Sequence, residues 1–149
     1  MMCLHAENAE QTREIGKRLG LQLRSGDVLL LEGNMGAGKS ELTRGIARGL
    51  GVEGYVPSPS FTVLQVHDSG RIPLYHFDWY RLGGVEELYE LSMEEYLYGD
   101  GVAVVEWPEQ AREAWPEQYL RIVLIPEGEQ GRRIECTPIG GFRDLEDFQ

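Results

Sequence analysis

Two cysteines and three histidines in 149 residues are too few, and too scattered, for a disulfide framework or a His/Cys metal cage. Cys3 and Cys136 lie far apart in the chain. No basic-then-apolar leader stands at Met1, so a reducing, cytoplasmic setting is expected. No uninterrupted apolar run approaches the ~20 residues of a membrane span, and no membrane partner is expected. Internal repeats, low-complexity tracts and long linkers are also missing, and the seven prolines are dispersed. Positive charge is scarce: 14 Lys and Arg face 25 Asp and Glu, a net charge of −11. The imbalance lies in the second half, where His76 to Gln149 carry seventeen acids and six bases, against eight of each from Met1 to Tyr75. Such a surface repels nucleic acid and anionic lipid.

What is present is an ordinary globular composition, 42% hydrophobic and 26% charged, in a length that suits one domain over 1–149. Asn8 with Gln11 three residues on predicts a capped helix that places Ile15 and Leu19 on one face and stops at Gly20. Val28-Leu29-Leu30-Leu31 and Val102-Ala103-Val104-Val105 read as strands buried on both faces, as in a parallel sheet covered by helices. Leu42, Ile46 and Leu50 mark a helix from Lys39, with Gly49 and Gly51 as its exit. Phe61–Val66 and Ile72–Phe77 predict an antiparallel pair, Gly84–Leu97 an acidic helix, and 120–124 with 133–137 a final hairpin. Residues 140–149 read as a loosely held tail. The resulting fold class is α/β, a mixed sheet with a parallel centre and flanking helices.

Between the first apolar strand and its helix stands Gly33-Asn34-Met35-Gly36-Ala37-Gly38-Lys39-Ser40, which fits G-x-x-x-x-G-K-[ST]. Glycines without Cβ let successive backbone N–H groups turn inward around an anion, at the positive end of the following helix. Lys39 then meets the terminal phosphates and the Ser40 hydroxyl can ligate Mg²⁺. Strand, loop and helix in this order predict a P-loop NTPase-type site for ATP with Mg²⁺. Two carboxylates close apolar strands: Asp78 after Leu74–Phe77, and Glu106 after Val102–Val105. Ligands bind at such strand ends in open α/β sheets. Either acid can anchor the metal while the other orients the attacking water. His76 shares a strand face with Asp78 and reads as a hydrogen-bonding neighbour of the site or a core histidine. Trp79, Trp107 and Trp115 read most simply as packing residues, with lining of the nucleotide pocket the alternative for Trp107 beside Glu106.

These motifs together resemble the TsaE (YjeE) family of bacterial ATPases, which serve tRNA threonylcarbamoyladenosine formation. The resemblance runs through Thr12 and Gly16, the loop Gly33–Ser40, Ser58-Pro59-Ser60-Phe61-Thr62, His76-Phe77-Asp78-Trp79-Tyr80-Arg81-Leu82, Glu95-Tyr96 and Glu106-Trp107-Pro108-Glu109. It implies ATP and Mg²⁺ binding by the loop, functional acids at Asp78 and Glu106, and a switch-like segment holding Ser58, Ser60 and Thr62; Glu41, where the family usually has threonine, stands near the expected α-phosphate. It also implies contacts around the base from Thr12 and Arg133, and action with partner proteins TsaB and TsaD, tRNA being met only through that complex. The rival readings are a small-molecule P-loop kinase and a nucleotide-binding regulator with negligible turnover. Between Leu82 and Ala111 there is no Lys or Arg and there are eight acids, which disfavours a kinase lid built from that segment. No N-K-x-D pattern is present to read guanine.

Overall fold

The computed structural model describes residues 1–54, 56–57 and 63–149. In chain order these form β1 (Met2–Ala6), α1 (Ala9–Gly20), β2 (Val28–Glu32), α2 (Lys39–Gly49), β3 (Leu64–His67), β4 (Leu74–Asp78), α3 (Val85–Glu90), α4 (Glu94–Leu97), β5 (Val102–Glu106), a 3₁₀ segment (Pro108–Ala114), β6 (Tyr119–Glu127) and β7 (Gly131–Ile139). The two apolar runs lie side by side and parallel as β2 and β5, with Leu30 opposite Val105. Leu29, Leu30 and Leu31 have no exposed surface; each buried leucine contributes ~1.5–3 kcal/mol, which makes this pair the anchor of the sheet. β4 continues the parallel centre beyond β5, and β6 beyond β2. Antiparallel strands complete both sides, in the order β1-β7-β6-β2-β5-β4-β3. The fold is α/β, with a mixed sheet flanked by helices.

Alternation along β2 sends Leu29 and Leu31 to one face and Val28 and Leu30 to the other. The first set packs with Ile15, Leu19, Leu42 and Ile46 of α1 and α2. The second packs with Phe77, Leu88, Leu97 and Val105 under α3, α4 and the 3₁₀ segment. Asn8 caps α1 as its spacing predicts, its side chain accepting the Gln11 N–H at 2.9 Å.

α1 and α2 touch backbone to backbone. A Cβ placed on Gly45 would stand 2.0 Å from the Arg13 carbonyl oxygen, and one on Gly49 2.3 Å from that of Lys17. Reciprocally, a Cβ on Gly16 would meet the Leu42 carbonyl oxygen at 2.4 Å and one on Gly20 that of Ile46 at 2.5 Å. Gly20 and Gly49, which read as helix stops, are the last residues of their helices and also part of this contact. Glycine is required there because any side chain would push the helices apart.

Three expectations are corrected. The acidic helix over Gly84–Leu97 is two short helices, divided where Ser92 adopts φ 55°. The strand β1 was not anticipated; Cys3 and His5, the exposed residues of its alternation, obscure a pattern whose inward members are Leu4 and Ala6. Residues 140–149 are not loosely held. Phe142 and Phe148 enter the core, Arg143 clasps Asp27 with two 2.8 Å bonds, and the Gln149 amide exchanges hydrogen bonds with the His5 backbone. The glycines and acids of this segment suggest a free end, but two aromatic anchors and a bidentate ion pair outweigh them.

Gly45→Ala is expected to destabilise the protein by ~1–3 kcal/mol through overpacking. A denaturant titration should show a lower midpoint at unchanged slope; an unchanged midpoint would contradict the helix contact.

Candidate functional site

The end of β2 and the start of α2 are joined by a loop that turns back on itself through left-handed conformations at Gly36 (φ 80°) and Gly38 (φ 99°). Gly38 is the residue on which α2 begins, and the first N–H groups of a helix have no intrahelical acceptor. The loop therefore forms one wall of a cavity of about 400 Å³, lined by Met35 to Glu41 with Arg132 beside them and, opposite, by Asp78, Tyr80, Arg81, Glu106 and Trp107. The sheet brings these walls together. Asp78 and Glu106 occupy paired register positions at the carboxyl ends of β4 and β5, and Leu31 pairs with Glu106 just before the loop.

Lys39 is buried, its Nζ donating to the Gly33 carbonyl oxygen at 2.7 Å and lying 3.4 Å from the centroid of the Trp107 indole. Burial lowers its pKa from the ordinary lysine value, and the charges of Glu106, Glu109 and Asp78 pull it back up. Asp78 is half-buried and its carboxyl is raised, first by burial and then by the charge of Glu106; the Tyr80 N–H, accepted by Oδ1 at 2.9 Å, works against the rise together with His76 and Lys39. Glu106 is 4% exposed, and its Oε2 lies 2.5 Å from His76 Nε2. The Ser40 hydroxyl and these two carboxylates line the same cavity, and oxygen donors of this kind suit a hard cation such as Mg²⁺.

Trp107 lines the cavity, the alternative to core packing. Its ring is only partly buried, lies tilted 4.9 Å from Tyr80 with the Lys39 ammonium over its face, and its backbone is left-handed at φ 57°, ψ 48°. Such a conformation costs a bulky residue ~1–3 kcal/mol and is held by its surroundings. The sequence carried no signal for this conformation, because a residue before proline ordinarily prefers extended backbone.

The other sequence-predicted residues divide clearly. Asn34 is exposed at the start of the loop and lies outside the cavity lining, whereas Met35, Gly36, Ala37 and Gly38 line it. Glu41, an acid in the first turn of α2, is neutralised by Arg13 from α1 and Arg44 from α2. Thr12 is fully buried and lines a second cavity of about 170 Å³ on the outer side of the loop, with Gly38, Glu41, Gln130 and Arg132. Ser58, Ser60 and Thr62 lie outside the described residues. Arg133 is not brought to either cavity: it faces Glu127 and Glu135 at 3.9 and 3.3 Å. Its neighbour Arg132 points to the loop instead, donating from Nε to the Ala37 carbonyl oxygen at 2.9 Å and from Nη2 to that of Gly36 at 3.0 Å. A shift of one residue along β7 exchanges faces, so Arg132 rather than Arg133 stands beside the loop.

Hydrogen bonds from a charged donor contribute ~1.5–3 kcal/mol. Arg132→Ala should therefore weaken binding of a fluorescent ATP analogue about tenfold or more, while Arg133→Ala stays close to wild type; equal losses would contradict this assignment.

Comparisons with known proteins agree with the geometry. The family model described as "Threonylcarbamoyl adenosine biosynthesis protein TsaE" matches residues 6–134. Proteins named "tRNA threonylcarbamoyladenosine biosynthesis protein TsaE" are similar to this chain: that of Bacillus subtilis is 41% identical over 93% of this chain and 86% of its own. That of Streptomyces coelicolor is 48% identical over 86% and 90%. The crystal structure of Bacillus subtilis YdiB superposes with a TM-score of 0.80 at 36% identity, covering 94% of this chain and 86% of that one. With this fold, this loop and these relatives, the chain belongs to the TsaE family.

Proposed function

We propose that this protein is a Mg²⁺-dependent ATP hydrolase that serves tRNA N6-threonylcarbamoyladenosine formation in the cytoplasm, acting when engaged by a complex of TsaB and TsaD. The observation that carries the chemistry is the cavity in which Lys39 faces Asp78 and Glu106 across a glycine loop that opens a helix. The relatives' names supply the pathway. A net charge of −11 makes tRNA a ligand of the assembly rather than of this chain. Among the described residues no helix is long and apolar enough to cross a membrane.

In this reading the N–H groups of the loop and of the first turn of α2 receive the phosphates, and Lys39 exchanges Gly33 and Trp107 for the β- and γ-phosphates. Magnesium, when bound by Ser40 and one or both acids, supplies neutralisation of the phosphate charge. Asp78 and Glu106 divide metal holding from orientation of the attacking water. The base enters the cavity of Thr12 and Arg132, where Arg13 and Arg44 pair the charge of Glu41. The resting engagement of Lys39 supports slow turnover by the isolated chain. A cationic group supplied in trans is worth ~10³–10⁵ in rate in related chemistry.

Steady-state phosphate release should therefore rise about tenfold or more when TsaB and TsaD are added; rapid turnover independent of partners would contradict the proposal. Lys39→Ala should abolish productive nucleotide binding, whereas at saturating magnesium Asp78→Ala and Glu106→Ala should lower turnover more than affinity. A fluorescent ATP analogue read beside hydrolysis separates the two effects.

A further inference from the structure

Glu106 enters the cavity from a strand, yet its carboxylate is also held from below. His76 lies on β4 opposite Val104, one strand over and two residues behind Glu106. Leu74, His76 and Asp78 share one face of β4, and Val102, Val104 and Glu106 the matching face of β5. The imidazole thus sits beneath the acid pair, 1% exposed, with Nε2 2.5 Å from Glu106 Oε2. Its Nδ1 is buried with no hydrogen-bond partner among the described residues. A histidine kept only for core packing would be better replaced by an apolar residue, because one ring nitrogen is left unsatisfied. The polar contact the ring does make is with the one acid that closes β5.

We propose that His76 is a positioning residue for Glu106, resting on the hydrolase reading above. As the Nε2–H tautomer it donates to Oε2, fixes the carboxylate plane and leaves Oε1 as the oxygen presented to the magnesium nucleotide. Hydrogen-bonding partners of metal-ligating carboxylates act in this way, and their removal typically costs ~10–100-fold in metal affinity or activity. Asp78, held instead by the Tyr80 N–H, keeps its own orientation.

The test uses the full chain and a fluorescent ATP analogue titrated with and without magnesium. His76→Phe keeps ring volume and removes the donor; it should raise the magnesium concentration needed for half-maximal binding by ~10–100-fold, leave metal-free binding near wild type, and lower kcat. His76→Gln, which restores an N–H at similar reach, should recover most of the loss. In a Glu106→Gln background, His76→Phe should add little, because its effect passes through that carboxylate. Side-chain ¹⁵N spectra of the unmodified protein give an independent readout: the Nε2–H tautomer is expected, and the Nδ1–H tautomer would overturn the proposal even if the variants fail to fold. Wild-type magnesium dependence in His76→Phe, or an equal loss with and without Glu106, would overturn this inference alone. A native chain whose nucleotide binding ignores magnesium would overturn both it and the hydrolase reading.

Discussion

The parallel contact between β2 and β5 is the constraint from which the rest of the molecule follows. Both strands are aliphatic on both faces, so neither can lie at a solvent edge and each needs helices above and below. Parallel pairing then sends both chains out at the same end of the sheet. One exit is the glycine loop that leads into α2, the other is Glu106, and β4 brings Asp78 to the same edge. The glycine loop and the two acids are neighbours because of strand direction, before any side chain of the site has made a contact.

That logic explains what could be read without coordinates. Continuous apolar runs, a capped first helix and the glycine loop are local signals, and each element stands where its residues indicate. The acids were legible because they directly follow those runs. What escaped reading depends on partners distant in sequence. β1 becomes a strand by pairing with β7, more than a hundred residues away, and its alternation is too short to announce itself. The closing segment acquires order from Asp27 and His5, which no local composition reveals. Arg132 and Arg133 differ only in which face of β7 they occupy, and a hairpin register is needed to tell them apart.

Charge is handled within the same framework. An acid in the first turn of α2 would oppose a bound anion, yet Glu41 is enclosed by two guanidinium groups, one of which also donates to the Val56 carbonyl oxygen at 2.8 Å. Lys39 experiences the opposite balance: burial disfavours its charge while three carboxylates favour it. In the proposed function an incoming triphosphate would replace the indole and a carbonyl dipole with formal negative charge, completing an electrostatic arrangement that the protein holds only in part.

The glycine seam between α1 and α2 has a mechanical corollary. Helices whose main chains already touch can neither slide nor rotate without collision, and α2 carries the cradle at its tip. The loop side of the cavity thus behaves as a fixed jaw. Any widening of the cavity therefore falls to the opposite jaw, where Trp107 holds a left-handed backbone that bulky residues rarely adopt.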